Sequence, residues 1–280
     1  MTGGHVLVAG AAGGLGRVLV PRLLAKGYTV TGADVAAAGL AELAELARPG
    51  GRASALDVAQ LDVRRPEQWA AVIAAAERAR GPLDVLINGA AMLRPARAHE
   101  VRDDDVELHF DVNAKGVLYG TREAARVMVP RGRGHIVNVA SLAALAPVPG
   151  LAAYAASKHA VRAYTLTAAI ELAPTGVAVS VVCPDAFATP MLDLQQDYPE
   201  AAVTFSSTKI LSADEVAAAI VDRVLPRRPL ELWLPPSRGL LARLVDAAPG
   251  LGRRALPLFE RLGRRGQQAY VKTAPTGGRR

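Results

Sequence analysis

The chain has 280 residues, with 33 basic and 26 acidic side chains and a formal net charge of +7. Hydrophobic residues make up 51% and charged ones 21%, which excludes wholesale disorder and leaves enough apolar surface for a sizeable core. Aromatic residues are only 4%, so Ala, Val and Leu must build that core.

Short apolar runs of strand type alternate with longer helical patterns along most of the chain. Strands are predicted at 5–9, 28–33, 54–61, 83–88, 135–140, 177–183 and 229–234. Helices are predicted at 15–26, 36–47, 66–80, 102–129, 152–173 and 213–225. Ser212 and Glu215 have the spacing of a capping box, and Val216, Ile220 and Val224 give the helix after them an apolar face. Regular alternation with hydrophobic strands predicts an α/β fold, a doubly wound parallel seven-stranded sheet covered on both faces. In such sheets ligands bind beyond the carboxyl ends of the strands, so the loops that follow strands are where chemistry is to be sought. Cys183 is the single cysteine, which excludes an intrachain disulfide and a cysteine-based metal cluster; no metal site is expected. No secretory leader is read before strand 5–9, and Pro147, Pro149 and Gly150 interrupt the uncharged run 141–157, so a cytoplasmic protein without a membrane span is expected.

The first strand runs into Gly10-Ala11-Ala12-Gly13-Gly14-Leu15-Gly16 and then a helix. Glycines let a backbone turn tightly beside a pyrophosphate, and free helix N–H groups stabilise its charge. The spacing is GxxxGxG, which by itself fits an ordinary turn equally well. Asp34 ends the second strand, where a carboxylate can accept hydrogen bonds from an adenosine ribose and would repel a 2′-phosphate. It could equally cap the next helix. No basic residue stands at Ala11, Ala12, Gly13 or Val35, so NAD is favoured over NADP, with Arg17 the one side chain placed to reach a phosphate.

Tyr154 and Lys158 sit four apart at the start of a predicted helix, on one face. A phenol titrates near ~10, and a neighbouring ammonium pulls that value down into a range usable for acid–base work. Ser141, at the end of the fifth strand, can return to the same place and hydrogen-bond a carbonyl oxygen.

These pieces together resemble the short-chain dehydrogenase/reductase family, a Rossmann-fold group, over residues 5–234. Gly10, Gly14 and Gly16 match its glycine motif, while Ser141, Tyr154 and Lys158 match its catalytic Ser and YxxxK. The resemblance implies that Asn113 supports a water relay to the lysine, and that Asp62, followed by Val63, caps an adenine pocket; Asp57 competes for that role. Pro184 to Met191 is similar to the family's P-G-x-V-x-T-x-M stretch, which places Pro184 and Thr189 by the nicotinamide. Leu15, Val63, Asn88 and Ala90 join the implied cofactor set. Two departures stand out: Asn88-Gly89-Ala90-Ala91 replaces the usual Asn-Asn-Ala-Gly, and Asp185 stands where a Gly is expected. The implied activity is NAD-dependent interconversion of a secondary alcohol and a ketone. Tyr154 is the general acid/base, Lys158 lowers its pKa and holds the ribose, Ser141 orients the oxygen and Asn113 maintains the proton path. Homo-oligomerisation is a further family expectation.

Residues 186–211 are too long for a plain connector and read as a lid, with apolar side chains suited to a hydrophobic small-molecule alcohol or ketone. Residues 1–234 then form one catalytic domain, and 235–280 a basic amphipathic helical extension ending in a disordered polar tail from Thr273. Pro249 and Pro257 predict two short helices in it. Residues 226–280 hold 12 basic and 3 acidic side chains, so the rest of the chain is nearly neutral. This extension packs across the substrate cleft or a subunit interface on one reading, and makes a peripheral membrane contact through 235–265 on another. Nucleic acid is not expected, since no binding module or aromatic platform is present. Two other functions compete: an NADPH-dependent 3-oxoacyl thioester reductase meeting an acidic carrier protein, which Asp34 opposes, and a non-catalytic cofactor sensor or membrane adaptor.

Overall fold

The computed structural model describes residues 3–47 and 53–273. Seven strands form one parallel sheet: β1 His5–Ala9, β2 Thr29–Asp34, β3 Leu56–Gln60, β4 Leu83–Asn88, β5 Gly134–Val139, β6 Val177–Pro184 and β9 Glu231–Leu234. Their order is β3-β2-β1-β4-β5-β6-β9, with every pair parallel. All seven predicted strands are present within a few residues. Valine, leucine and isoleucine at both faces of the central strands follow from the helices that cover each side.

Helices α1 (Gly16–Ala25), α2 (Ala37–Ala47) and α8 (Ala213–Ala219) cover one face of the sheet; α3 (Pro66–Arg80) and α5 (Gly116–Met128) cover the other, and α6 (Ala152–Leu172) packs on β6. Leu19, Leu23, Leu40, Leu43, Val216 and Ile220 belong to the first core, and Leu61, Trp69, Ile73, Ala124 and Met128 to the second. Ser212 and Glu215 make the reciprocal capping box at the start of α8.

The long predicted helix 102–129 differs in its middle. It runs as α4 (Asp103–His109), then a π-helical stretch Phe110–Lys115, then α5. A second π stretch, Ile220–Val224, links α8 to α9 (Leu225–Arg227). Such wide turns re-aim side chains within a helix and recur at functional sites; the first of them carries Asn113.

After β6 the chain forms a small two-stranded pairing of β7 (Phe187–Ala188) with β8 (Leu211–Ser212), which ties the two ends of the segment between them. That segment contains α7 (Pro190–Asp193) and a 3-10 turn, Pro199–Phe205. The extension forms α10 (Pro236–Ala247) and α11 (Pro249–Thr273). Pro249 opens α11 as predicted, but Pro257 lies inside it without ending it. The backbone donor lost at Pro257 is outweighed by anchoring downstream: Gly263 and Gly266 lie directly against the carbonyls of Ala202 and Phe205, and Gln267 Nε2 donates to Gln195 O and Tyr198 O at 2.8 and 3.0 Å. The rest of the tail expected to be disordered, 274–280, lies outside the described residues.

Candidate active site

The strand order reverses between β1 and β4, and a cavity of about 1700 Å³ opens there at the carboxyl ends of the strands. Gly10 turns the chain out of β1 with φ +83°, and a Cβ on it would stand 2.6 Å from the amide nitrogen of Ala90. Only glycine leaves the loops after β1 and β4 this close. Gly10, Gly14 and Leu15 line the cavity, while Gly16 is buried behind them at the start of α1. A bare backbone bend leading into a helix N-terminus is the cradle that a pyrophosphate requires, and these residues fit one.

Asp34 lines the same cavity and accepts from the amides of Ala12 and Ala36, each at 3.0 Å. Both of its expected placements therefore coexist, beside the glycine loop and at the entry to α2. Arg17 also lines the cavity, with its guanidinium engaged: Nε donates to Ala12 O at 2.8 Å and Nη2 pairs with Glu42 at 2.7 Å. Asp62 lines the cavity with Val63, and Arg64 grips its carboxylate at 2.7 Å, holding it below the usual carboxylate range. Asp57 faces elsewhere, paired with Arg80. Pro184 and Thr189 are in the lining, and a Cβ on Gly14 would stand 2.7 Å from Thr189 Cγ2, so the start of the lid touches the glycine loop.

Ser141, Tyr154 and Lys158 line the same cavity. Extended backbone at Ser141 carries the chain out of β5, and its Oγ accepts from Ala143 N at 3.1 Å. Tyr154 and Lys158 come from the first turns of α6. Lys158 is 1% exposed, donates to Val139 O at 3.0 Å, and stands 5.8 Å from the centre of the Tyr154 ring. Burial pushes the phenol up to about 12, opposed by its hydrogen bond with Ser141, and pulls the ammonium down to about 8. The lowered phenol value expected from sequence is thus not met in the protein by itself. Desolvation is the largest cause of both shifts.

Asn88 and Asn113 are placed beneath the cavity wall, outside its lining. Asn88 donates to Asn138 Oδ1 at 2.8 Å and to Thr121 at 3.4 Å, bracing the end of β4, whereas Ala90 reaches the cavity. Asn113 exchanges hydrogen bonds with both backbone groups of Met92, at 2.8 and 3.0 Å, and donates to Ser157 Oγ at 3.0 Å. Ser157 in turn donates to Tyr154 O at 2.7 Å. Its direct partners are therefore the loop after β4 and the start of α6, with no direct bond to Lys158.

Sequence reading left several cavity residues unnamed. Met92, Leu93, Leu142, Val148 and Leu151 line it near Tyr154, and from the extension come Leu241, Val245, Leu256 and Phe259. Their apolar character was visible, but which side of a loop or helix faces the cavity depends on packing. His109 stacks edge-on to Tyr154, with ring centres 6.4 Å apart, and both of its nitrogens are engaged, by Asp105 O and Arg94 N. It supports the tyrosine ring from behind. Asp185, the unexpected acid, is paired with Arg238 of α10 at 2.8 Å.

A doubly wound sheet with a glycine loop at its switch point, and a Ser–Tyr–Lys cluster lining the same cavity, defines a Rossmann-fold oxidoreductase. The chain belongs to the short-chain dehydrogenase family, whose model matches residues 4–199. A cyclopentanol dehydrogenase from Comamonas is 35% identical over 198 residues, covering 70% of this chain and 78% of that one. Among solved structures, a short-chain dehydrogenase/reductase from Burkholderia phymatum in complex with NAD superposes with a TM-score of 0.79 at 28% identity, over 90% of this chain and 96% of that one. A variant of actinorhodin polyketide ketoreductase with NADPH gives 0.77 at 28% identity, over 85% and 97%. The protein is an enzyme acting on CH–OH groups.

Proposed function

We propose that the enzyme interconverts a secondary alcohol and a ketone on a hydrophobic small molecule, using NAD. The observation that carries this reading is that Ser141, Tyr154 and Lys158 come together in one apolar cavity that the glycine loop also lines. A nicotinamide ring supplies a hydride donor or acceptor when bound.

Tyr154 exchanges the proton of the substrate hydroxyl, as general acid in reduction and general base in oxidation. Its phenol stays protonated near neutrality, ready to donate. Ser141 is hydrogen-bonded to that phenol and offers its hydroxyl to the substrate oxygen. Lys158 holds positive charge beneath the ring and favours the phenolate that forms after donation. Asn113 acts as a positioning residue, fixing the Met92 backbone and, through Ser157, the first turn of α6.

Asp34 supports NAD over NADP, because its carboxylate lines the cavity beside the glycine loop, where it would oppose a 2′-phosphate, while Arg17 is paired with Glu42. The apolar lining from Met92, Leu142, Val148, Leu151, Leu256 and Phe259 supports a hydrophobic substrate, in keeping with the alicyclic alcohol named for the Comamonas relative. Residues 1–234 are assigned the chemistry, and residues 235–273 complete the substrate wall. The test is an absorbance assay of nicotinamide reduction and oxidation across cyclic alcohols and ketones, with both cofactors, on the full chain and on Tyr154→Phe. Turnover with NAD that falls at least about a thousandfold in the variant, with cofactor binding retained, supports the assignment. Substantial turnover by Tyr154→Phe removes it.

A further inference from the structure

The helix that roofs the cavity has two unlike sides. Leu256 and Phe259 of α11 line the cavity, and Gly263, Gly266 and Gln267 seat the helix on the lid. On the other side Leu251, Leu258 and Leu262 are 63%, 58% and 42% exposed. Their spacing of seven and four residues places them in one stripe along a helix. Arg254, Arg261 and Arg265 run beside that stripe and are exposed; among the described residues no carboxylate pairs with them. Residues 236–273 hold eight basic side chains against two acidic ones. Exposed leucines between unneutralised arginines form a surface complementary to a sheet of anionic headgroups over hydrocarbon.

We propose that this face of α11 docks the enzyme on an anionic phospholipid surface. The helix would lie in the interface plane, because no helix among the described residues is long and apolar enough to cross a membrane. Leucines enter the boundary between headgroups and acyl chains, and the arginines meet phosphates beside them. A second copy of this chain is disfavoured as the occupant, since a two-fold pairing would bring the same arginines together. The inference rests on the outer face of α11 and is independent of the catalytic reading.

The experiment is co-sedimentation of the full chain with vesicles of phosphatidylcholine alone or mixed with phosphatidylglycerol, at low and high salt. Binding is expected on the mixed vesicles only, and to weaken with salt. Arg254→Gln/Arg261→Gln/Arg265→Gln should lower affinity roughly a hundredfold, and Leu251→Gln/Leu258→Gln/Leu262→Gln at least about tenfold. Thermal melts by circular dichroism identify any variant that is misfolded, and the arginine variant, which leaves every apolar contact intact, keeps the test decisive if the leucine variant is. Failure to bind mixed vesicles, equal binding to both vesicle types, or unchanged binding by the arginine variant would overturn the proposal. So would a dimer in sedimentation velocity, without lipid, that the leucine variant abolishes.

Discussion

Arg238, in the first turn of α10, donates from Nε to Asp185 Oδ2 at 2.8 Å, and its Nη2 donates to Ser206 Oγ at 3.2 Å. One guanidinium thus joins the extension to the end of β6 and to the lid. It also accounts for a carboxylate where the family has glycine, since the acid arrives with its own counter-charge.

Arg238→Met should leave Asp185 unpaired in a largely buried position. Stability is expected to fall by about 1–3 kcal/mol, with a raised KM for substrate, because α10 contributes Leu241 and Val245 to the cavity. Asp185→Gly combined with Arg238→Met should recover much of the loss. A double-mutant cycle by thermal denaturation reads the coupling, and strictly additive losses would show that the pair contributes nothing.

Lys158→Met should abolish turnover and stabilise the fold by about 1–3 kcal/mol, since it removes an ammonium held in a buried site. The sign follows from its value of about 8, below the ordinary 10.5. Between those two values the folded protein binds fewer protons than the unfolded chain, so the parent gains stability as pH rises through that window. The variant lacks that gain. Denaturation curves of both proteins across the window check it.

Asp34→Ser should improve use of NADP relative to NAD by at least about tenfold, because the carboxylate that would oppose a 2′-phosphate is gone. A modest stability loss of about 1 kcal/mol is expected with it, as the Ala12 and Ala36 amides lose a charged acceptor. The ratio of kcat/KM for the two cofactors is the readout.

His135 is 1% exposed, bonded to Ser180 Oγ at 2.8 Å, and burial pulls its value from 6.5 down to about 3. The unfolded chain binds the extra proton throughout that interval, so stability falls as pH drops below 6.5, by up to about 1.4 kcal/mol per unit from this group. His135→Leu/Ser180→Ala should give a shallower acid limb in urea titrations. His5 and His109, also lowered by burial, add to that slope, and the lowered carboxylates of Asp57, Asp62, Glu77 and Glu231 extend it at more acid pH.

Fold class was legible because seven strand periods alternate with six helical ones, and because Gly10, Ser141, Tyr154 and Lys158 fall at strand or helix ends where topology gathers them. What could not be read were relationships set by packing. Asp185 stands out as a departure from the family pattern, but nothing local pairs it with Arg238, so far away in the chain. The π-helical stretch that carries Asn113 leaves no mark on apolar periodicity, so its residues read as plain helix. Pro257 read as a breaker because local propensity does not include the anchoring of α11 at Gly263, Gly266 and Gln267. The phenol of Tyr154 read as lowered because spacing shows its cationic neighbour and hides the burial of both.

Gly263 and Gly266 set the backbone of α11 directly on the carbonyls of Ala202 and Phe205, with no side chains to slide between them. Lid and helix therefore form one packed panel. Any opening wide enough to release a bulky product must carry the whole 25-residue helix with it, which makes the turnover rate sensitive to whatever holds that helix down.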